Sequence, residues 1–231
     1  MTFDIIYASC KGQKEDHPYQ DFIKVASTDN YLLATLADGL GSVPQSSRGA
    51  YLICDVLVDS FATYDPAKSS VPDILKGAIE EWYRRLADKG VEAKECLTTS
   101  SVLFVDKLAA KATFAHIGDS LIAFRIGDGK VFTTSIKKDF LNETSCIGTS
   151  HHPSYEIMEV EITPSLDFLI TSDGFGDELI VDKLDQLFNY FIVKYSRTKP
   201  DRRNKLLKQE LVETMQDKNN DDKSVIFGWI Q

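Results

Sequence analysis

The chain has 231 residues with 43% hydrophobic and 26% charged side chains, enough to bury a substantial core, which excludes disorder of the whole chain and allows one large domain. The 26 Lys and Arg against 35 Asp and Glu give a formal charge of −9, and such a surface repels a phosphate backbone, which argues against general nucleic-acid binding. No run approaches the roughly 18 apolar residues that span a bilayer, Met1-Thr2-Phe3-Asp4 lacks a signal peptide's basic start and apolar core, and the scattered Cys10, Cys54, Cys96 and Cys146 include no Cys-x-x-Cys, so buried free thiols in a cytoplasmic protein with no membrane partner are expected.

Apolar, β-branched stretches at Asp4–Ser9, Asp21–Ala26 and Tyr31–Ala37 predict three strands opening a sheet. The spacing of Ala50, Ile53, Val56, Leu57 and Phe61 then predicts a helix over about Ser47–Thr63. A second helix is fully punctuated, with Ser70 as N-cap, Pro72 and Asp73 in the first turn, a stripe of Ile74, Leu75, Ala78, Ile79, Trp82 and Leu86, and Gly90 as stop. Strands at Thr98–Val105, Lys111–Ile117, Leu121–Ile126 and Lys130–Thr134, with a tight turn at Gly127-Asp128-Gly129, predict an antiparallel meander. Strands resume at Tyr155–Ile162 and Asp167–Thr171, helices follow at Val181–Ser196 and Asp201–Gln216, and Ser224–Ile230 closes the chain as a strand. Paired helices between blocks of antiparallel strands predict an α+β layered sandwich with helices outside, and no internal repeat is apparent.

Several aspartates sit where a predicted strand stops or starts: Asp38-Gly39, Asp119 in Gly118-Asp119-Ser120, Asp173-Gly174, Asp221-Asp222, and Asp21 in Gln20-Asp21-Phe22. Each alone also reads as an ordinary turn former that hydrogen-bonds its own backbone. Strand ends on one edge of a sandwich can converge, and carboxylates brought together repel unless cations neutralise them. An all-oxygen set of carboxylates, a glycine-freed carbonyl and water suits Mg²⁺ or Mn²⁺, whereas zinc recruits His or Cys.

Taken in order, Leu36-Ala37-Asp38-Gly39-Leu40-Gly41, Ala115-His116-Ile117-Gly118-Asp119-Ser120, Leu169-Ile170-Thr171-Ser172-Asp173-Gly174-Phe175 and Asp221-Asp222-Lys223-Ser224-Val225 resemble the successive motifs of the PP2C-like metal-dependent Ser/Thr protein phosphatases. Asp38-Gly39-Leu40-Gly41-Ser42 followed by Ser46, Gly49 and Ala50, and Asn142-Glu143-Thr144, resemble its bacterial branch. The resemblance runs from about residue 8 to the end, so residues 1–231 read as a single phosphatase domain. It implies a four-layer α-β-β-α sandwich of two antiparallel sheets flanked by helices. It also implies that Asp38 bridges two Mg²⁺ or Mn²⁺ ions, that Asp173 and Asp221 hold the first, and that the Gly39 carbonyl and Asp21, directly or through water, hold the second. Asp119 and Asp177 match positions that hold a weaker third ion. The implied catalytic residues are Asp38, Asp173 and Asp221, and the implied reaction is hydrolysis of phosphoserine and phosphothreonine in a phosphorylated protein, the substrate of a cognate Ser/Thr kinase in a signalling pathway. Two ions about 3.5–4 Å apart would share an activated water for in-line attack. The sequence has no Cys-x₅-Arg loop and no Gly-x₄-Gly-Lys-Ser/Thr loop, so covalent cysteine chemistry and nucleotide cradling lack their usual residues.

The pattern is broken at three places. The first arginine is Arg48, after the first acidic pair, where the family commonly has a phosphate-gripping Arg before it, leaving Lys11, Lys14 or His17 as point charges without a planar fork. Gln20 stands where many members have Glu, and Leu40 stands where the common eukaryotic version has His, which leaves leaving-group protonation to metal-bound water. These gaps motivate an alternative, a catalytically weak or inactive PP2C-like module that binds a phosphorylated partner. His116 reads as a core or edge histidine, His151-His152 as loop, and the basic run Lys199–Lys208 as a solvated helix face.

Overall fold

The computed structural model describes residues 2–13, 18–134, 145–149 and 153–231. In chain order its strands are β1 (Phe3–Cys10), β2 (Asp21–Ser27), β3 (Tyr31–Asp38), β4 (Ser100–Asp106), β5 (Lys111–Ile117), β6 (Leu121–Ile126), β7 (Phe132–Thr133), β8 (Glu156–Glu161), β9 (Leu166–Thr171) and β10 (Lys223–Ile230). The helices are α1 (Ser46–Ala62), α2 (Val71–Ala87), the one-turn α3 (Asp173–Gly176), α4 (Leu184–Ser196) and α5 (Pro200–Met215). The strands form two antiparallel five-stranded sheets, one in each of two compact units, and each sheet carries helices, so the expected α+β class is borne out.

One unit, His17–Ser120 with Lys137–Glu161, holds the sheet β2-β3-β4-β5-β8 and helices α1 and α2. The stripe that predicted α1, Ala50, Ile53, Val56, Leu57 and Phe61, is buried in one cluster with Leu33 and Ala37 of β3 and Val102 and Phe104 of β4. Residues two apart on a strand share a face, so the helix meets one side of the sheet, and each large side chain removed from water stabilises by about 1.5–3 kcal/mol. The two helices lock together where the buried Trp82 indole donates to the Gly49 carbonyl at 3.0 Å. Gly49 admits no side chain, because a Cβ there would stand 1.9 Å from the Cys96 carbonyl oxygen.

Helix α2 begins as predicted. Ser70 Oγ accepts from the Asp73 amide at 3.3 Å, and the Asp73 carboxylate accepts from the Ser70 amide at 3.2 Å. Ser70→Ala is therefore expected to cost about 1 kcal/mol, read as a lowered urea midpoint with an unchanged m-value.

The other unit, Met1–Asp16, Leu121–Ile136 and Ile162–Gln231, holds the sheet β1-β10-β9-β6-β7 and helices α3, α4 and α5. Ile6 and Ala8 of β1, Leu169 of β9, and Val225, Phe227 and Trp229 of β10 alternate toward one face, where they bury Phe188, Phe191 and Tyr195 of α4 with Leu207 and Leu211 of α5. Phe227 takes Phe188 and Phe191 edge-on, at 5.2 and 5.0 Å between ring centroids.

Three expectations are corrected. The opening strands do not share a sheet: β1 pairs along its whole length with β10, from Phe3↔Ile230 to Cys10↔Lys223, while β2 pairs with β3. The predicted meander is cut at Gly118-Asp119-Ser120, where Gly118 takes φ +116°, so β5 lies between β4 and β8 and β6 lies between β9 and β7. Strands apolar on both faces carry no mark of which neighbour they prefer. Finally, Arg203 of the basic run is not solvated: it is buried, donates to the Thr198 carbonyl at 2.9 Å and to the Asp4 carboxylate, and lies over the Trp229 ring. All four cysteines are free and buried, as expected.

Candidate metal centre

Asp21 and Asp38 are directly opposed in the β2–β3 register, so their side chains leave the same face of the sheet. Asp21 is fully buried and Asp38 half-buried. Like charges at opposed strand positions repel, and a divalent cation turns that repulsion into attraction. The backbone of Asp38 is fixed by two residues that sequence reasoning took only as strand: its amide donates to Thr99 Oγ1 at 3.0 Å, and its carbonyl accepts from the Thr99 amide at 2.8 Å and from Thr98 Oγ1 at 2.9 Å. Their signal is the unbroken hydroxyl run Thr98-Thr99-Ser100-Ser101 ahead of an apolar stretch.

Gly39 follows in a close approach to α1, where a Cβ would stand 2.6 Å from the Ser46 carbonyl carbon. The Gly39 amide donates to the Gln20 carbonyl at 3.1 Å, which ties the entry of β2 to the exit of β3. The Gln20 side chain donates its amide to Ser46 Oγ, which ties the entry of β2 to the start of α1.

In the other unit, Asp173 opens α3 directly after β9, and Asp221 lies in the turn that enters β10. These segments are pressed together at Gly174, whose Cβ would stand 2.1 Å from the Asp222 carbonyl oxygen and 3.1 Å from Asp221 Cβ. Asn219 joins them: Nδ2 donates to the Gly174 carbonyl at 2.9 Å, and Oδ1 accepts from the Asp221 amide at 3.1 Å. Ser172 adds a second tie, its amide donating to the Ser224 carbonyl at 3.1 Å and its Oγ accepting from the Ser224 amide at 3.0 Å. Asp222 Oδ1 accepts from the Gly12 amide at 2.9 Å.

The structure thus brings Asp21, Asp38 and Gly39 together in one unit and Asp173 and Asp221 together in the other. Asp119 is half-buried in the turn after β5, where its charge adds to the burial that raises the Cys146 thiol, and Asp177 is exposed at the end of α3. Among the described residues, no group of three or more His, Cys, Asp or Glu side chains is close enough to hold a metal ion. What each unit offers is two carboxylates beside a glycine crowded by backbone, an all-oxygen donor set that fits a hard divalent cation and not zinc.

The alternatives to metal chemistry are weaker. Burial pushes the Cys54 thiol up to about 12 and the Cys146 thiol to about 11, so both are protonated at neutral pH and inert as nucleophiles. His116 stands on β5, 3.7 Å from the Glu156 carboxylate, with its pKa lowered by burial, which makes it the expected structural histidine. Lys11 is exposed, while Lys14, His17, Asn142-Glu143-Thr144 and His151-His152 lie outside the described residues.

The family model described as Protein phosphatase 2C matches residues 11–216. A search of the curated proteins finds no match. Among solved structures, the chain is similar to the serine/threonine phosphatase of S. agalactiae, at 17% identity over 100% of each chain with a TM-score of 0.74. It is also similar to RsbX in complex with magnesium, at 15% identity over 99% of this chain and 96% of that one, with a TM-score of 0.64. A structure titled for the bacterial stressosome, a modular system adapted to control secondary messenger signalling, matches at 14% identity over 99% of this chain and 100% of that one, with a TM-score of 0.69.

Proposed function

The chain belongs to the Protein phosphatase 2C family, and we propose that it is a Mg²⁺- or Mn²⁺-dependent phosphatase that hydrolyses phosphoserine and phosphothreonine in a protein substrate. The observation that carries this reading is the opposed pair Asp21↔Asp38, where β2 begins and β3 ends, with Gly39 following Asp38 in the chain. In this reading Asp38, Asp173 and Asp221 would be the ligands of one cation, and Asp38, Asp21 and the Gly39 carbonyl those of a second. Asp119 and Asp177 would serve a weaker third. When bound, the cations supply Lewis acidity toward the phosphoryl oxygens and the attacking water.

The chain's own residues supply position and charge. Thr98 and Thr99 hold the Asp38 backbone from both sides, so its carboxylate is offered from a fixed strand end. Asn219 and Ser172 do the same for the Asp173 and Asp221 segments. Leu40 has no proton to give, so no side chain at that position protonates the leaving serine or threonine oxygen. The substrate reading carries with it a cognate Ser/Thr kinase as partner, a cytoplasmic location and one phosphatase domain spanning residues 1–231. Among the described residues no helix is long and apolar enough to cross a membrane.

Turnover of a phosphothreonine peptide is expected to vanish in EDTA and to return on titration with Mn²⁺. A rate independent of divalent cations would overturn the reading. A second reading, a module that binds a phosphorylated partner without hydrolysing it, is favoured by Gln20, whose amide is spent on Ser46. Calorimetric Mn²⁺ binding without hydrolysis across several phosphopeptides would select it.

A further inference from the structure

Lys223 is the first residue of β10 and is fully buried. Every later residue of that strand, Ser224 to Ile230, is uncharged and also buried, so space-filling alone would place an apolar side chain here. A buried ammonium costs several kcal/mol unless its donors are matched, and these are matched by one short turn. Nζ donates to the Asn219 carbonyl at 3.0 Å, to Asn219 Oδ1 at 2.9 Å and to the Asp221 carbonyl at 2.8 Å. Three donors meet three acceptors, the full capacity of an ammonium.

We infer that Lys223 is a positioning residue for the metal ligand Asp221, an internal cation that presets the ligand turn before any metal arrives. This rests on the reading of Asp221 as a ligand. Asn219 Oδ1 accepts at once from Lys223 Nζ and from the Asp221 amide, which turns Nδ2 outward, where it donates to the Gly174 carbonyl and, at 3.1 Å, to Glu178 Oε1. One ammonium therefore orders the Asp221 turn and, through Asn219, ties that turn to the helix that begins with Asp173. The charge of Lys223 repels an incoming divalent cation, but it is compensated locally by three oxygens. Loss of an outer hydrogen-bond partner typically costs about 10–100-fold in metal affinity.

The test is calorimetric titration of Mn²⁺ into wild type, Lys223→Met, Asn219→Ala and the double variant, with metal-free thermal midpoints measured alongside. Met keeps the length of the side chain and removes the donors. Lys223→Met is expected to raise the Mn²⁺ Kd about tenfold or more, and the Asn219→Ala effect is expected to shrink in the Lys223→Met background, because both act through one turn. In turnover, the loss is expected in kcat at saturating phosphopeptide, with KM little changed. A lowered midpoint with Kd within about twofold of wild type, or additive effects on Kd, would make the lysine merely structural and overturn the inference. Should Lys223→Met fail to fold, Asn219→Ala alone decides: an unchanged Kd overturns it. Wild type that binds no Mn²⁺ would instead overturn the metal reading of Asp221.

Discussion

Asp38→Asn is expected to lower divalent-dependent turnover of a phosphothreonine peptide by more than about a hundredfold, beyond the range for loss of a supporting partner, while the chain stays folded. The substitution preserves volume and leaves intact what holds the strand end, since Thr98 and Thr99 bind the Asp38 backbone and not its carboxylate. It exchanges a full negative charge, shared in the proposed site by two cations, for a neutral amide whose oxygen is a weak ligand. Two measurements separate the chemistry from the fold. The metal-free thermal midpoint should be no lower than wild type, because one of two opposed like charges is gone, and the Mn²⁺-induced rise in midpoint, which follows from mass action on the folded state, should be lost or greatly reduced. Turnover within a few-fold of wild type at saturating Mn²⁺ would remove Asp38 from the mechanism and leave only its place at the end of β3.

The elements themselves were legible because each carries its own local signal. The Ser70, Pro72 and Asp73 punctuation gave the start of α2 within a residue, and the Ala50-to-Phe61 spacing gave the buried face of α1. Which strands become neighbours was not legible. β4, β9 and β10 are buried at nearly every position, so they lack the polar-apolar alternation that would reveal a solvated face or an edge. The short turn at Gly118 decides the matter, through a positive φ that a glycine in the sequence permits but does not announce. Pairing between the two ends of the chain, β1 with β10, likewise depends on long-range contacts that no window of sequence contains.

The candidate ligands were legible for a different reason: they come in ordered motifs, each an aspartate at a strand end. Their supports were not. Thr98, Thr99, Asn219 and Lys223 act through the backbone or through one another, at positions where the residue type suits a strand or a turn equally well. Besides the hydroxyl run Thr98-Thr99-Ser100-Ser101, the sequence shows a lysine beginning an otherwise neutral strand, and its meaning emerges only when it is seen to be buried with three acceptors from a single turn.

Gly174→Ala is expected to destabilise the chain by about 3 kcal/mol or more, the upper part of the range for an overpacked site, and to abolish the response to Mn²⁺. The added methyl would lie 2.1 Å from the Asp222 carbonyl oxygen and 3.1 Å from Asp221 Cβ. The first contact is with backbone, so no rotamer change relieves it, and either α3 or the Asp221 turn must move. Movement of either separates Asp173 from Asp221 and strains the Asn219 bond to the Gly174 carbonyl. Stability and metal binding should therefore fall together, unlike in Asp38→Asn, where only the second falls. For a chain of this size, about 3 kcal/mol corresponds to a midpoint lowered by roughly 6–12 °C. Gly77→Ala is the control: it lies within α2, a Cβ there meets nothing within 4 Å, and exchanging Gly for Ala in a helix interior should raise stability by about 0.5–1 kcal/mol. If Gly174→Ala kept the wild-type midpoint and Mn²⁺ affinity, the close packing of the two ligand segments would be refuted, and with it the structural basis for treating Asp173 and Asp221 as one set.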